Sequence, residues 1–539
     1  MDTIRIPSPL PDDVWRHIPT DGPMALQKWL VKVHFFVNLA VPINRLPDEL
    51  LAEILQIVRF DRPSDWSFST VLLICRHWYY IAVPSACLWS DITIGMSLPL
   101  LHTYLRRSRG RAFRFLRELR TRVLSPHFDR VTELHTFSSQ PYIEHRMEQL
   151  SSLTIDDALP PHFTPGPEEE GATVIAIRGD RFPKLESLTL REIEPVANIV
   201  DAHCLTSLTL DSLWHETWSE VLNLLKGCPV LEYLTMVSLE AGSTAVAVTD
   251  DVRRNRIIEM RRLRALSFRD CIERAGIAYL LAHLALPFTA EIAIVVNLDE
   301  ADREELMEDV DLWDTSFADA IPEDKTFLPV FSAIQTVKTT INDDRLTVLA
   351  FTQKERGSGT PSVTYSCALG NMINTKHIHK EIMRDMSMVF SPSLSMTGLH
   401  IQVKGHENYD CFVTTENWKS LYTKFPHIVD FYAGGPSSSF FDDFLPDLGP
   451  NPNTPLPWPK LQRITFENTA TEAEPDESNN IIDSIIISMH NRRDAAAAGS
   501  VERLQHLHLE FPRMQDRNLY KRTRTLQRVT DLLTRSPDW

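Results

Sequence analysis

Leu185-Glu186-Ser187-Leu188-Thr189-Leu190 is followed by Leu205-Thr206-Ser207-Leu208-Thr209-Leu210, two hexapeptides with leucine at the first, fourth and sixth positions. Strand alternation puts the last two leucines on one side and the threonine between them on the other. The template recurs at Leu150-x-x-Leu153-x-Ile155, Leu231-x-x-Leu234-x-Met236 and Leu263-x-x-Leu266-x-Phe268. Two later copies stand at Leu461-x-x-Ile464-x-Phe466 and Leu504-x-x-Leu507-x-Leu509. A short strand with one apolar face cannot bury that face alone, so the copies predict parallel strands lying side by side. Helix-like stretches at 218–225 and 275–286 fall between copies. Weaker strand patterns occupy 292–296, 346–351, 399–403 and 428–432.

The template resembles the strand signature of leucine-rich repeats, which implies an α/β fold built as a solenoid. Its units are irregular, with starts at 150, 185, 205, 231 and 263. A proline two residues before the strand leucine recurs at Pro183, Pro229 and Pro459. The acidic stretch 299–325, the Pro, Gly, Ser and Asp-rich stretch 433–459 and the acidic stretch 471–480 are expected to interrupt the array. Alternation turns Thr154, Thr189, Thr209, Thr235, Ser267, Thr465 and His508 outward as a ladder, with Arg191, Asp211, Tyr233, Arg269, Glu467 and His506 beside it. Those six vary in charge and shape and are the candidate target contacts, although solvated strand residues have the same composition.

Upstream lies Asn44-Arg45-Leu46-Pro47-Asp48-Glu49-Leu50-Leu51-Ala52-Glu53-Ile54-Leu55. Pro47 suits a helix start, and Asp48 and Glu49 complement the positive end of the helix dipole. Leu46, Leu50, Leu51, Ile54, Leu55 and Val58 then make an apolar stripe. A turn is expected at 59–67 around Pro63, followed by a second amphipathic segment carrying Phe68, Val71, Leu72, Cys75, Trp78, Ile81 and Ala82 and stopping at Pro84.

With Cys75-Arg76-His77-Trp78 and Leu88-Trp89-Ser90 in order behind it, this stretch resembles the F-box-like domain common in fungal proteins. The resemblance implies a helical domain over 41–95, after an extension at 1–40 and before a repeat region at 96–539. It also implies docking to a Skp-family adaptor, and through it to a cullin complex, by Leu46, Pro47, Leu50, Leu51, Ile54, Leu55 and Trp78. Tyr79 and Tyr80 stand where the family places a basic residue. The function so implied is substrate receptor of a ubiquitin ligase, with an unidentified target on the repeat face. The alternative is a non-catalytic scaffold or ligand-binding protein whose helices only cap the repeats.

The chain has 55 basic and 72 acidic residues, a net charge of −17, which argues against general attraction to nucleic acid or anionic membrane. Arginines nonetheless cluster at Arg106, Arg107, Arg109, Arg111, Arg114, Arg117, Arg120 and Arg122, and again at Arg253, Arg254, Arg256, Arg261, Arg262 and Arg264. They make either a basic strip for an acidic ligand or solvated helix faces. Seven cysteines without CxxC spacing predict reduced thiols and a cytoplasmic or nuclear protein. No GxSxG, HExxH, Walker or GxGxxG motif is present, so no enzyme activity, cofactor or metal is expected. The tight histidine pairs His377-x-His379 and His506-x-His508 lack companion ligands at useful spacing.

Overall fold

The structure, a computed structural model, describes residues 22–61, 72–92, 97–111, 113–116, 121–136, 141–157, 176–193, 198–212, 214–215, 218–238, 240–241, 257–271, 274–296, 316–342, 345–352, 361–368, 375–390, 395–404, 415–435, 440–441, 445, 458–468, 475–510, 525–527 and 532–535. Phe68, Val71, Arg117, Arg120, Arg253, Arg254, Arg256 and most of the acidic stretch expected at 299–325 lie outside them. The side chains of Arg114, Arg122, His377 and His379 do as well. The chain divides into two compact units, one of Met1–Ile155 with Asp180–Leu185, the other of Asp156–Gly179 with Glu186–Trp539.

The described residues of the first unit include the helices α1 (Pro23–Ala40), α2 (Asp48–Asp61) and α3 (Arg76–Ala82). After strand β1 (Asp91–Ile92) comes α4 (Leu98–Arg107), then β2 (Phe113–Leu116), β3 (Val131–Thr136) and β4 (Ser152–Asp156). The four strands pair in chain order and in parallel. The helix α2 runs to Asp61, past the residue 59 at which the sequence placed a turn, and the rest of that expected turn lies outside the described residues.

In the second unit the repeated hexapeptides form β5 (Ser187–Arg191), β6 (Ser207–Asp211), β7 (Tyr233–Val237) and β8 (Ala265–Arg269), with β9 (Glu291–Val296) alongside. All pair in parallel. Leu188, Leu190, Leu208, Leu210, Leu234, Met236, Leu266 and Phe268 are buried, each contributing on the order of 2 kcal/mol by leaving water. One local device repeats. Glu192, Ser212, Ser238 and Asp270, each just past a strand, adopt positive φ of 46–54°. Their N–H groups donate to Asp211, Val237, Arg269 and Val295 of the next strand over 2.8–3.0 Å. The left-handed residue keeps the strand end hydrogen-bonded while the chain leaves the sheet. Helices α5 (Trp218–Lys226) and α6 (Arg274–Ala282) lie between strands. The second is shorter than the pattern at 275–286 suggested, because Leu284–Ala285 pairs in parallel with Ile258–Glu259.

Further strands of the large sheet are β10 (Thr336–Ile341), β11 (Arg345–Phe351), β12 (Val363–Ala368), β13 (Gly398–Val403), β14 (Asp430–Gly435), β15 (Arg463–Asn468), β16 (His506–Glu510) and β17 (Leu532–Arg535). Among the helices that accompany them are α7 (Thr375–Phe390), α8 (Thr415–Lys424) and α9 (Pro475–Ala497). The last occupies most of the acidic stretch expected as an insertion at 471–480.

These pairings correct the expected α/β leucine-rich-repeat solenoid. Such an array adds one parallel strand per unit in chain order. Here β9 pairs with β12, β12 runs antiparallel to β11, β11 antiparallel to β10, and only then does β10 pair in parallel with β13. The cause is local. Asn342 N–H donates to Arg345 C=O over 2.9 Å, and a connection of three residues cannot carry a parallel crossover, which needs a dozen or more. The chain is α/β with a large, mostly parallel sheet that contains this reversed segment. Beyond it, parallel pairing continues from β13 to β17.

Candidate docking surfaces

The first surface lies on the N-terminal helices. Pro47 precedes α2 and its carbonyl accepts from Leu51 N–H at 3.1 Å, so the helix starts where the sequence indicates. The apolar stripe of α2, however, has two edges. Leu51 and Leu55 are 0 and 1% exposed and belong to the core of this unit, whereas Leu50 is 48% exposed and Pro47 is also in solvent. Leu46 and Ile54 are half-buried. Trp78 is tied down within the unit, its indole N–H donating to Asn44 Oδ1 at 2.6 Å, while Asn44 donates to Asn38 C=O. The seven expected adaptor contacts therefore divide into core, tether and surface.

Exposed apolar residues that were not among the expected adaptor contacts join Leu50. Ile57 and Val58 continue along α2, and Leu73, Ile74, Tyr79 and Tyr80 stand on and before α3. A cleft of about 370 Å³ is lined by Val31, Asn38, Leu73, Ile74, His77 and Tyr79, among others. Behind this surface Leu88 and Trp89 are buried, with the Trp89 N–H donating to Ala82 C=O at 2.9 Å. Tyr104 meets the Trp89 ring edge-on at 5.0 Å, and the Arg107 guanidinium lies 4.3 Å above it.

The second surface is the outward face of the sheet, within the second unit. Register places Thr189, Thr209, Thr235 and Ser267 in one row, and Arg191, Asp211, Val237 and Arg269 in the next. Arg191 Nε donates to Asp211 Oδ2 at 2.7 Å and lies 3.7 Å from buried Asp156, and the Asp211 hydrogen bond holds the guanidinium above its ordinary pKa. Tyr233 is exposed between Ser207 and Ala265. Glu467 and His506 sit on β15 and β16, so the six expected target contacts fall into two groups rather than one continuous strip.

Around Glu467 the structure joins residues that sequence reading missed, Lys338, His400 and Tyr432, to the expected ladder residues Thr465 and His508, the five aligning across successive strands. Gln402 Nε2 donates to both Tyr432 Oη at 2.9 Å and Glu467 Oε2 at 2.7 Å, and His400 stacks on Tyr432 with ring centroids 5.6 Å apart. Arg463 grips Asp430 through Nε at 3.0 Å and Nη2 at 2.9 Å. Burial pushes the Glu467 carboxyl up and the His400 imidazole down, so both shift toward their neutral forms. The signal for this group was alternation in 399–403 and 428–432, but the residue types there lack the leucine template.

Among the described residues, no group of His, Cys, Asp and Glu is placed to hold a metal ion, and no helix is long and apolar enough to cross a membrane. Of the clustered arginines, Arg261 pairs with Glu259 and Arg264 with Glu232 at 3.1 Å, local pairs that occupy their charge. His506 and His508 stack at 6.4 Å, and His508 lies 3.8 Å from Glu510. No protein-family model matches the chain, and comparison with curated proteins finds no relative.

Proposed function

We propose that the chain recruits a target protein to a cullin-type ubiquitin ligase, docking a Skp-family adaptor through its N-terminal helices and the target through the outward face of the sheet. The observation that supports this most is that Leu50, Ile57 and Val58 on α2 and Leu73, Ile74 and Tyr80 on and before α3 are all exposed. Apolar residues are normal on a surface singly, but a group of them on neighbouring helices marks a site that a partner covers. It falls in the segment whose sequence resembles an F-box. The mixed charge and aromatic character of Arg191, Tyr233, Arg269, Tyr432 and Glu467 suits recognition of a protein surface. Proximity is then the whole mechanism, because holding a target beside a transfer enzyme replaces a bimolecular encounter.

The second reading, a non-catalytic scaffold whose helices serve only internal packing, draws on the burial of Leu51, Leu55, Leu88 and Trp89. Affinity capture of the full chain from cells separates the two. Wild type is expected to bring down adaptor and cullin, and Leu50→Asp with Leu73→Asp to lose both while melting as wild type does, since neither side chain is buried. If wild type captures neither, the scaffold reading replaces this one. Undiminished capture by the double variant would show that the face is wrongly assigned.

A further inference from the structure

On the outward face of β13 to β16 one side chain bridges over a whole strand. Gln402 on β13 donates through Nε2 to Tyr432 Oη on β14 and to Glu467 Oε2 on β15. Gly434, their register neighbour on β14, leaves the space for that reach. A Cβ there would stand 3.1–3.2 Å from Tyr432 Oη, Gln402 Cγ and Glu467 Oε2. Gln402 is only 8% exposed, and its Oε1 makes no hydrogen bond with a described residue.

The bridge ends on a pair of like charges. Glu467 and Glu510 are register partners on β15 and β16, and like charges directly opposite each other are destabilising. Among the described residues, no lysine or arginine forms an ion pair with either, and Glu510 has only His508 Nε2 at 3.8 Å. Glu510 adds to the burial that pushes the Glu467 carboxyl up, while Lys404 and Lys338 act on it only from further away. Arg463, two residues before Thr465, is held by Asp430.

Beside the carboxylates an aromatic face stands open. His400 stacks on one side of the Tyr432 ring, with centroids 5.6 Å apart. On the other side the register neighbour is Thr465, too small to cover a ring, and the next is His508. Strands lie about 4.8 Å apart, so Tyr432 and His508 are about 10 Å apart with only threonine between them. One flat group fits against the tyrosine there. Glu467 follows Thr465 by two residues on β15 and flanks the same gap.

We propose, resting on the assignment of this face to the target, that the target inserts an arginine side chain here. Its guanidinium lies against Tyr432 above Thr465 and donates to Glu467 and Glu510, with Gln402 Oε1 accepting a further N–H. Lysine fits less well, because its ammonium is a compact point charge without a flat face or a fork of donors. An acidic side chain is repelled by the carboxylate pair.

Ligand-detected NMR titration of the full chain tests this with N-acetylarginine methylamide, its lysine counterpart and its citrulline counterpart, which keeps the shape of arginine without the charge. The arginine probe is expected to saturate in the millimolar range, as its size allows, and the citrulline probe is not. The lysine probe is expected to bind several-fold more weakly. Glu467→Gln should weaken arginine binding about tenfold, as loss of one charge-assisted contact does. Thr465→Phe fills the gap while keeping both carboxylates, and should abolish binding. The proposal is overturned if the arginine probe does not saturate, if citrulline or lysine binds equally well, or if either variant binds arginine as wild type does. Capture of adaptor and cullin is scored separately. Arginine binding without that capture keeps this site and removes the ligase, whereas capture without arginine binding removes this site alone.

Discussion

Asp385 is fully buried at the middle of α7, where it accepts from the Ser316 hydroxyl at 3.1 Å and the Ala318 N–H at 3.4 Å. Burial pushes its carboxyl up to about 6 from an ordinary 3.8, against the pull of those donors and of Arg384. The folded state therefore binds this proton more tightly than the unfolded chain, and linkage fixes the sign. The stabilisation is complete below pH 3.8 and is lost as pH rises through about 6. At about 1.4 kcal/mol per unit, the difference is on the order of 3 kcal/mol across that window. Urea midpoints measured from pH 4 to 7 should fall more steeply in wild type than in Asp385→Asn. Parallel slopes in the two proteins would mean that other carboxylates carry the dependence.

At the scale of elements, the pieces legible in the sequence were those specified within six residues. Leu-x-x-Leu-x-Leu fixes a strand because alternation and leucine burial agree at adjacent positions, and β5 to β8 follow. Of the β10–β11 hairpin only the strand at 346–351 was expected; β10 was missed because Val337, Thr339 and Ile341 alternate without the leucine spacing. The hairpin's short turn, which reverses the sheet, was not weighed. The start of α9 was misread for a different reason. Pro475, Asp476 and Glu477 look like an acidic insertion, yet proline and acidic residues are also what a helix N-terminus favours. For α2 the sequence supplied the apolar stripe but not which edge the neighbouring helices cover, so Leu51 and Leu50 could not be told apart. Glycine 276 shows the same limit for packing. In α6 a Cβ there would collide with the ring of Trp218 on α5, a contact between residues far apart in sequence. Alanine gains helix propensity of about 1 kcal/mol over glycine, but overpacking a core costs about 1–3 kcal/mol. Gly276→Ala should therefore lower the melting temperature, and Trp218→Phe in the same background should recover part of the loss. A more stable single variant would show that Trp218 swings aside freely.

For the molecule as a whole, two opposing features meet in one chain. The net charge of −17 keeps copies apart, while the exposed apolar residues of the N-terminal helices favour association wherever no partner covers them. Charge repulsion acts over the Debye length, about 10 Å at 0.1 M salt and about 3 Å at 1 M, whereas apolar contact does not weaken with salt. The balance must shift as ionic strength rises. Sedimentation velocity of the isolated chain should show a monomer at low salt and growing weight-average mass toward about 1 M sodium chloride. The Leu50→Asp, Leu73→Asp variant should remain monomeric throughout, because it removes two exposed apolar side chains and adds two negative charges. Association that persists equally in the variant would locate the adhesive surface elsewhere and would weaken the case that these helices form the docking face.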